Sequence, residues 1–247
     1  MSVTSADTAV ISRQGRREAM EDTYVLEVES RDPLRVLGAV FDGHGGDEVA
    51  LLAQRRFPAL FREHGASGVE AALRAAFAAI HHEAKGLPGG AVAAAFWLEE
   101  KRVTVANVGD AHVVTVGLEG THQLTADHRI TNPAERERVL AAGAVIDGPY
   151  AMHPRLDEGL EPTRTLGDHK LGEVGILAEP AVSTSLLSPG FLIAASDGLW
   201  DWVDPSGVPG LIAGATAANE VVDLLYREAF ENRGSEDNIT LVVVHVP

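Results

Sequence analysis

The chain has 247 residues, 45% of them hydrophobic, enough for a sizeable core and too apolar for a disordered segment. Its 20 Lys and Arg stand against 36 Asp and Glu, a formal charge of -16, which disfavours a nucleic-acid footprint and attachment to anionic membranes. With no cysteine, disulfide scaffolds, cysteine–zinc sites and thiol chemistry are excluded.

The opening segment MSVTSADTAV lacks the basic and apolar regions of a secretory signal, and no run of about 18 apolar residues follows. A soluble cytoplasmic protein is the expectation. Residues 34–41 (LRVLGAVF) form an apolar run of strand length that stops at Asp42-Gly43-His44-Gly45-Gly46. Val49, Leu52, Ala53, Arg56, Phe57 and Leu60 then recur at helical spacing, with Pro58 expected to kink the helix. Ser67 and Glu70 make a capping-box pair for a second helix striped by Val69, Ala72, Leu73, Ala76, Phe77 and Ile80. These two helices are expected to pack as one layer.

Residues 91–98 and 103–108 read as strands joined by the polar turn Glu99-Glu100-Lys101-Arg102. Residues 112–118, after Gly109-Asp110, read as a third strand in hairpin order. A short helix opens with Asn132 as N-cap, Pro133 at the first position and Glu135 at the third, and Gly143 closes it. Residues 147–175, rich in Gly, Pro and charge, read as a surface loop or small flap. Strands return at 181–185 and 191–195, the second ending in Ser196-Asp197-Gly198. Two helices cover 207–231, with Val221, Val222, Leu225 and Ala229 facing inward, and a terminal strand at 239–246 follows Glu236-Asp237-Asn238. No repeat, linker or low-complexity segment interrupts the pattern, so one domain over 1–247 is expected. Its order of elements fits an α+β layered sandwich rather than a doubly wound parallel sheet.

Asp42-Gly43, Asp197-Gly198 and Asp237-Asn238 each stand at a strand end. One Asp-Gly pair is an ordinary turn; three acids converging on one edge repel each other unless cations bind. Asp22, after Met20, and Asp127, after Leu124, extend the set. Oxygen donors without cysteine or a histidine pair select Mg²⁺ or Mn²⁺ over zinc. A carboxylate-bridged metal pair suits hydrolysis of phosphate esters. His81 and His82 are adjacent, point apart on a helix, and read as surface residues. Residue pattern alone stops at a metal-dependent hydrolase.

Seven blocks go further. They are Arg17-Glu18-Ala19-Met20-Glu21-Asp22, Val40-Phe41-Asp42-Gly43-His44-Gly45-Gly46 and Ala106-Asn107-Val108-Gly109-Asp110. Then come Leu124-Thr125-Ala126-Asp127-His128, Arg164-Thr165-Leu166-Gly167-Asp168, Ser196-Asp197-Gly198-Leu199-Trp200-Asp201 and Ser235-Glu236-Asp237-Asn238-Ile239-Thr240. In this order the chain resembles the metal-dependent protein phosphatase family, the PPM or type-2C Ser/Thr phosphatases. The resemblance implies a four-layer sandwich, two central antiparallel β-sheets flanked by paired helices. It also implies two Mn²⁺ or Mg²⁺ ions at one edge, with a weaker third. Asp42 would bridge both ions, the Gly43 carbonyl would bind one, and Asp197 and Asp237 the other. Glu21 and Asp22 would act through metal-bound waters, while Asp127 with Asp197 and Asp201 would form the third site. Arg17 matches the residue that holds the substrate phosphate, and His44 the proposed general acid. The implied reaction is direct attack of a metal-bridging water on phosphoserine or phosphothreonine, without a phosphoenzyme.

Gly90-Ala91-Val92-Ala93, Ala111-His112 and Thr163-Arg164-Thr165 depart from the usual family pattern. None is a metal ligand, so catalysis is expected to survive, with positioning and rate in question. Without the resemblance, Arg17 reads as a surface cation beside Arg16, and His44 stays open between a turn and a site role. Met20 and Trp200 read as core packing, and His128 and His169 as solvated loop residues. The expected partners are phosphorylated proteins and a cognate Ser/Thr kinase, with the chain a monomer, not bound to nucleic acid or membrane. A non-catalytic pseudophosphatase that binds a regulatory partner and a small-molecule phosphomonoesterase are the alternatives.

Overall fold

The structure, a computed structural model, describes residues 7–118 and 120–246; the first six residues of the MSVTSADTAV segment lie outside them. Strands β1 (Asp7–Arg13), β2 (Thr23–Arg31) and β3 (Leu34–His44) come first, then helices α1 (Glu48–Glu63) and α2 (Val69–Glu83). Next are β4 (Gly90–Glu99), β5 (Arg102–Val108), β6 (His112–Gly117) and β7 (Gly120–Gln123). Helix α3 (Pro133–Ala141) precedes the short strands β8 (Val145–Asp147), β9 (Tyr150–Met152), β10 (Gly159–Leu160) and β11 (Leu166–Gly167). The chain then forms β12 (Ala181–Leu186), β13 (Gly190–Ala195), α4 (Asp197–Trp200), α5 (Val208–Leu211), α6 (Ala218–Arg227) and β14 (Ile239–Val246).

Two antiparallel sheets carry the structure, one ordered β1-β14-β13-β6-β7, the other β12-β5-β4-β3-β2 with β11 beside β4. Alternation along β3 shows how the layers arise, because successive side chains face opposite sides of a strand. Val36 and Val40 enter the core between the sheets with Phe96, Leu98, Leu192, Val242 and Val244. Leu37, Ala39 and Phe41 face the other way, onto Phe57, Leu73 and Phe77 of α1 and α2. Phe41 meets Phe57 edge-on, with ring centroids 5.7 Å apart. Gly38 is required by this packing: a Cβ there would lie 2.2 Å from Phe96 Cζ. The outer face of the other sheet buries Ile193 and Leu241 against Leu199, Trp200, Val221 and Leu225. The layers therefore run helix, sheet, sheet, helix, and strands covered on both faces read as unbroken apolar runs.

The α3 start is as expected, the Asn132 side chain accepting the Ala134 N–H at 3.1 Å. Val221, Val222, Leu225 and Ala229 are buried. Other expectations are corrected. Residues 112–117 do not continue the β4–β5 hairpin: β6 pairs with β13 in the opposite sheet, and β12 takes the free edge of β5. A period of two specifies a buried strand but not its sheet. The Ser67–Glu70 capping box does not form; Gly68 precedes α2 at φ +92°, and Glu70 Oε1 accepts the Thr184 hydroxyl at 3.0 Å instead. Of the surface loop or small flap expected over 147–175, it is the flap that forms, containing most of a three-stranded sheet, β10-β9-β8. It shares a small core with α3 through Val139, Ala151, Leu171, Val174 and Ile176, and so forms a structured flap.

Candidate active site

Strand ends from both sheets meet at one edge. β3 ends through Asp42, Gly43 and His44, whose register partners on β4 are Val92, Ala91 and Gly90. Asp197 begins α4 two residues after β13 ends, and Asp237 lies two residues before β14 begins. Arg17, Glu21, Asp42, Gly43, His44, Asp110, Asp197, Asp237 and Asn238 line one cleft of about 310 Å³, with Tyr150 and Glu161 of the flap opposite.

Backbone and side-chain bonds fix these groups. Asn238 donates to the carbonyls of Gln14 and Ala19 at 2.7 and 2.9 Å and accepts the Glu21 N–H at 2.8 Å, which pins the loop carrying Arg17 and Asp22. Glu21 Oε1 accepts the Gly46 N–H at 2.7 Å. Asp22 is buried, its Oδ2 accepting the Ser196 hydroxyl at 2.9 Å. Gly43 allows close approach of the Arg17–Asp22 loop, since a Cβ there would lie 2.6 Å from the Glu21 carbonyl. Arg17 Nη2 reaches Asp237 Oδ2 at 2.5 Å on the open side.

The electrostatics are those of crowded anions. Desolvation raises the carboxyl of Asp42 well above the ordinary range, and the charges of Asp197, Asp22 and Asp110 add to it. Asp197 is raised first by desolvation and then by Asp110, Asp201 and Asp237. Asp22 is raised by burial, against the bond from Ser196. The carboxyls of Asp197 and Asp22 both lie within hydrogen-bond reach of Asp42. Among the described residues no three His, Cys, Asp or Glu side chains close around one point; the acids meet in pairs, with Asp42 common to both. An all-oxygen set arranged about one shared carboxylate fits a pair of hard cations that offset its repulsion.

The third set is arranged differently. Arg129 donates to both oxygens of Asp201 at 2.9 and 3.1 Å and to Asp110 at 2.7 Å, and lies 3.8 Å from Asp197. Asp197 and Asp201 thus already share a guanidinium, whereas Asp127 keeps a buried Oδ1 with no hydrogen-bond partner. Arg129, Asp110 and Asp168 carry no site role in the sequence reading. Asp168 Oδ2 lies 2.8 Å from His44 Nε2.

Two histidine expectations are corrected. His128 is buried rather than solvated, its Nδ1 accepting the Gly109 N–H at 3.1 Å, and burial lowers its pKa to about 4. His81 is half-buried, accepts the Gly167 N–H at 3.2 Å, and packs its ring 4.2 Å from that of His169. Trp200 is buried as expected, its indole N–H donating to the His112 carbonyl at 3.3 Å.

Comparison with known proteins defines the class. The family described as Protein phosphatase 2C matches residues 6–239, and the chain belongs to that family. It is 31% identical over 255 residues to Protein phosphatase 2C homolog 1 of Saccharomyces cerevisiae, covering 92% of this chain and 88% of that protein. It is 32% identical over 248 residues to a protein kinase and PP2C-like domain-containing protein of Arabidopsis thaliana, covering 93% of this chain and 38% of that protein. The chain spans between about a third and two thirds of the length of several such relatives. Serine-threonine phosphatase 2C of Toxoplasma gondii has the same fold, with a TM-score of 0.81 at 19% identity, covering 100% of this chain and 96% of that one.

Proposed function

We propose that the chain is a protein serine/threonine phosphatase dependent on Mn²⁺ or Mg²⁺ that hydrolyses phosphoserine and phosphothreonine. The observation that carries this reading is the pairing of Asp42 with both Asp22 and Asp197, all held above the ordinary carboxylate range, beside Arg17. Asp42 would hold two ions, the Gly43 carbonyl one of them, Asp197 and Asp237 the other, with Glu21 and Asp22 bonded to their waters. Ions bound there offset charge on the phosphoryl oxygens and make a water acidic enough to attack phosphorus.

The chain's own residues supply the rest. Arg17 is more than half exposed, so its guanidinium is available to turn from Asp237 to two phosphoryl oxygens, a bidentate role suited to arginine. His44 holds the proton that the serine or threonine alkoxide needs on leaving. A second cavity of about 640 Å³, lined by Arg16, Arg17, Trp202, Glu236 and Asp237, adjoins the cleft and gives room for the polypeptide around a phosphorylated side chain. That room favours phosphoproteins over small phosphomonoesters. The proposal extends to a single domain acting as a cytoplasmic monomer opposite a Ser/Thr kinase.

The test is phosphate release from a phosphothreonine peptide in Mn²⁺, with and without EDTA. Release that EDTA stops and Mn²⁺ restores is the expected result. Peptide binding without any release, or release indifferent to chelator, overturns the proposal.

A further inference from the structure

We propose that Asp168 is a positioning residue for His44, holding its imidazole so that one nitrogen is committed to the protein and the other faces the leaving group. This rests on the reading of His44 as the proton donor. The side chains are 124 positions apart in sequence, and three neighbouring strands bring them together. His44 on β3 is the register partner of Gly90 on β4, and Gly90 is the partner of Gly167 on β11. Asp168 follows immediately. Gly90 therefore lies between the two side chains, and its missing Cβ is what lets them meet: a Cβ there would stand 1.8 Å from Asp168 Oδ2.

The carboxylate is itself fixed. Its Oδ2 faces His44 Nε2 at 2.8 Å and accepts the Thr165 hydroxyl at 3.0 Å, and the side chain is only 11% exposed. Asp168 also has φ +46° and ψ +39°, a left-handed conformation that aspartate adopts more readily than most residues with a Cβ. Glycine would satisfy that backbone better still, and non-glycine residues held there gather at functional sites. With Nε2 on Asp168, Nδ1 is the nitrogen left for the cleft. On transfer from the doubly protonated ring, the Nδ1–H bond breaks, the proton goes to the departing alkoxide oxygen, and the Nε2–H stays on the ring, donated to Asp168. A carboxylate behind an imidazole fixes ring orientation and tautomer in this way.

The test compares Asp168→Asn, Asp168→Gly, His44→Gln and the double variant Asp168→Asn/His44→Gln on a phosphothreonine peptide and on p-nitrophenyl phosphate. Nitrophenolate leaves without a proton, so loss of a positioned acid weighs on the peptide. Asp168→Asn is expected to lower kcat on the peptide by roughly 10- to 100-fold and on p-nitrophenyl phosphate by less than about threefold. The double variant is expected to lose no more than His44→Gln alone. Asp168→Gly relieves the backbone conformation, so it should keep its Tm while showing the same selective loss. In ¹⁵N spectra the neutral His44 ring should be one tautomer, protonated on Nε2, in the wild type and a mixture in Asp168→Gly.

If His44→Gln loses equally on both substrates, the reading of His44 fails. If His44→Gln shows the contrast and Asp168→Asn does not, or the tautomer is unchanged in Asp168→Gly, the positioning role of Asp168 is overturned while His44 stands.

Discussion

Glu135 under the flap is buried and Asp42 at the strand ends is partly so, yet their surroundings act on them in opposite directions. Burial works against the charge of Glu135, but bonds from Arg164, Arg138 and Thr163 outweigh it and hold the carboxyl at about 2. Arg164 reaches Oε1 at 2.7 Å, and Arg138 and Thr163 reach Oε2 at 2.6 Å each. Asp42 has carboxylates for neighbours, and desolvation with their repulsion drives it up. An acid whose cations are supplied by the chain is part of the structure. Crowded acids whose cations are not supplied in full suit a site that takes charge from outside.

The largest effect is expected on the paired side. Glu135→Gln leaves two arginines without their carboxylate, and breaking a buried pair costs about 3–5 kcal/mol. A fall in Tm on the order of 10 °C follows for a chain of this size. Thermal unfolding with a loss under about 1 kcal/mol would mean that Glu135 is not the structural counterpart it resembles.

Arg17 sharpens the contrast from the other side. Its exposed pair with Asp237 is worth about 0–1 kcal/mol, so Arg17→Ala should leave Tm nearly unchanged. A charged hydrogen bond to phosphate is worth about 1.5–3 kcal/mol, so KM for a phosphopeptide should rise roughly ten- to a hundredfold. Lysine should restore only part of this, having no planar fork. Wild-type kinetics in Arg17→Ala would make the residue a surface cation.

The smallest effect is a pair of opposite pH signatures, read from the Tm of variants in EDTA. Glu135 is depressed from 4.5 to about 2, so its contribution is full above 4.5 and is lost as pH falls toward 2. The penalty of Glu135→Gln should therefore shrink in acid. Asp42 is raised above its ordinary 3.8, so its charge opposes folding increasingly as pH rises. Asp42→Asn should raise Tm by a few degrees at pH 8 and by less at pH 5. Both variants showing the same pH trend would erase the distinction between the two regions.

The strand-end acids are visible in the sequence because each stands where an apolar run meets a polar turn. The blocks around them carry the family resemblance. Other features are not visible, for reasons particular to each. β6 alternates like any strand, and only the occupation of the β5 edge by β12 sends it to the other sheet. β1 and β2 lie in the first 31 residues, where no element is read from the pattern. Thr8, Ser12, Glu27 and Glu29 interrupt their apolar character. Arg129 is one arginine among several until the fold sets it beside Asp110, Asp197 and Asp201. Asp168 ends a recognisable block, yet its neighbour His44 is reached only across the gap at Gly90.

The most direct test of the claim that the strand-end carboxylates await divalent cations is the Mn²⁺ response of Tm in wild type and in Asp197→Asn. A cation that binds only the folded protein stabilises it by about 2.7 kcal/mol at a hundredfold excess over Kd, a rise of roughly 5–10 °C. The wild type should show that rise, EDTA should reverse it, and Asp197→Asn should lose most of it. An equal Mn²⁺ response in Asp197→Asn would place the ions elsewhere and contradict the claim.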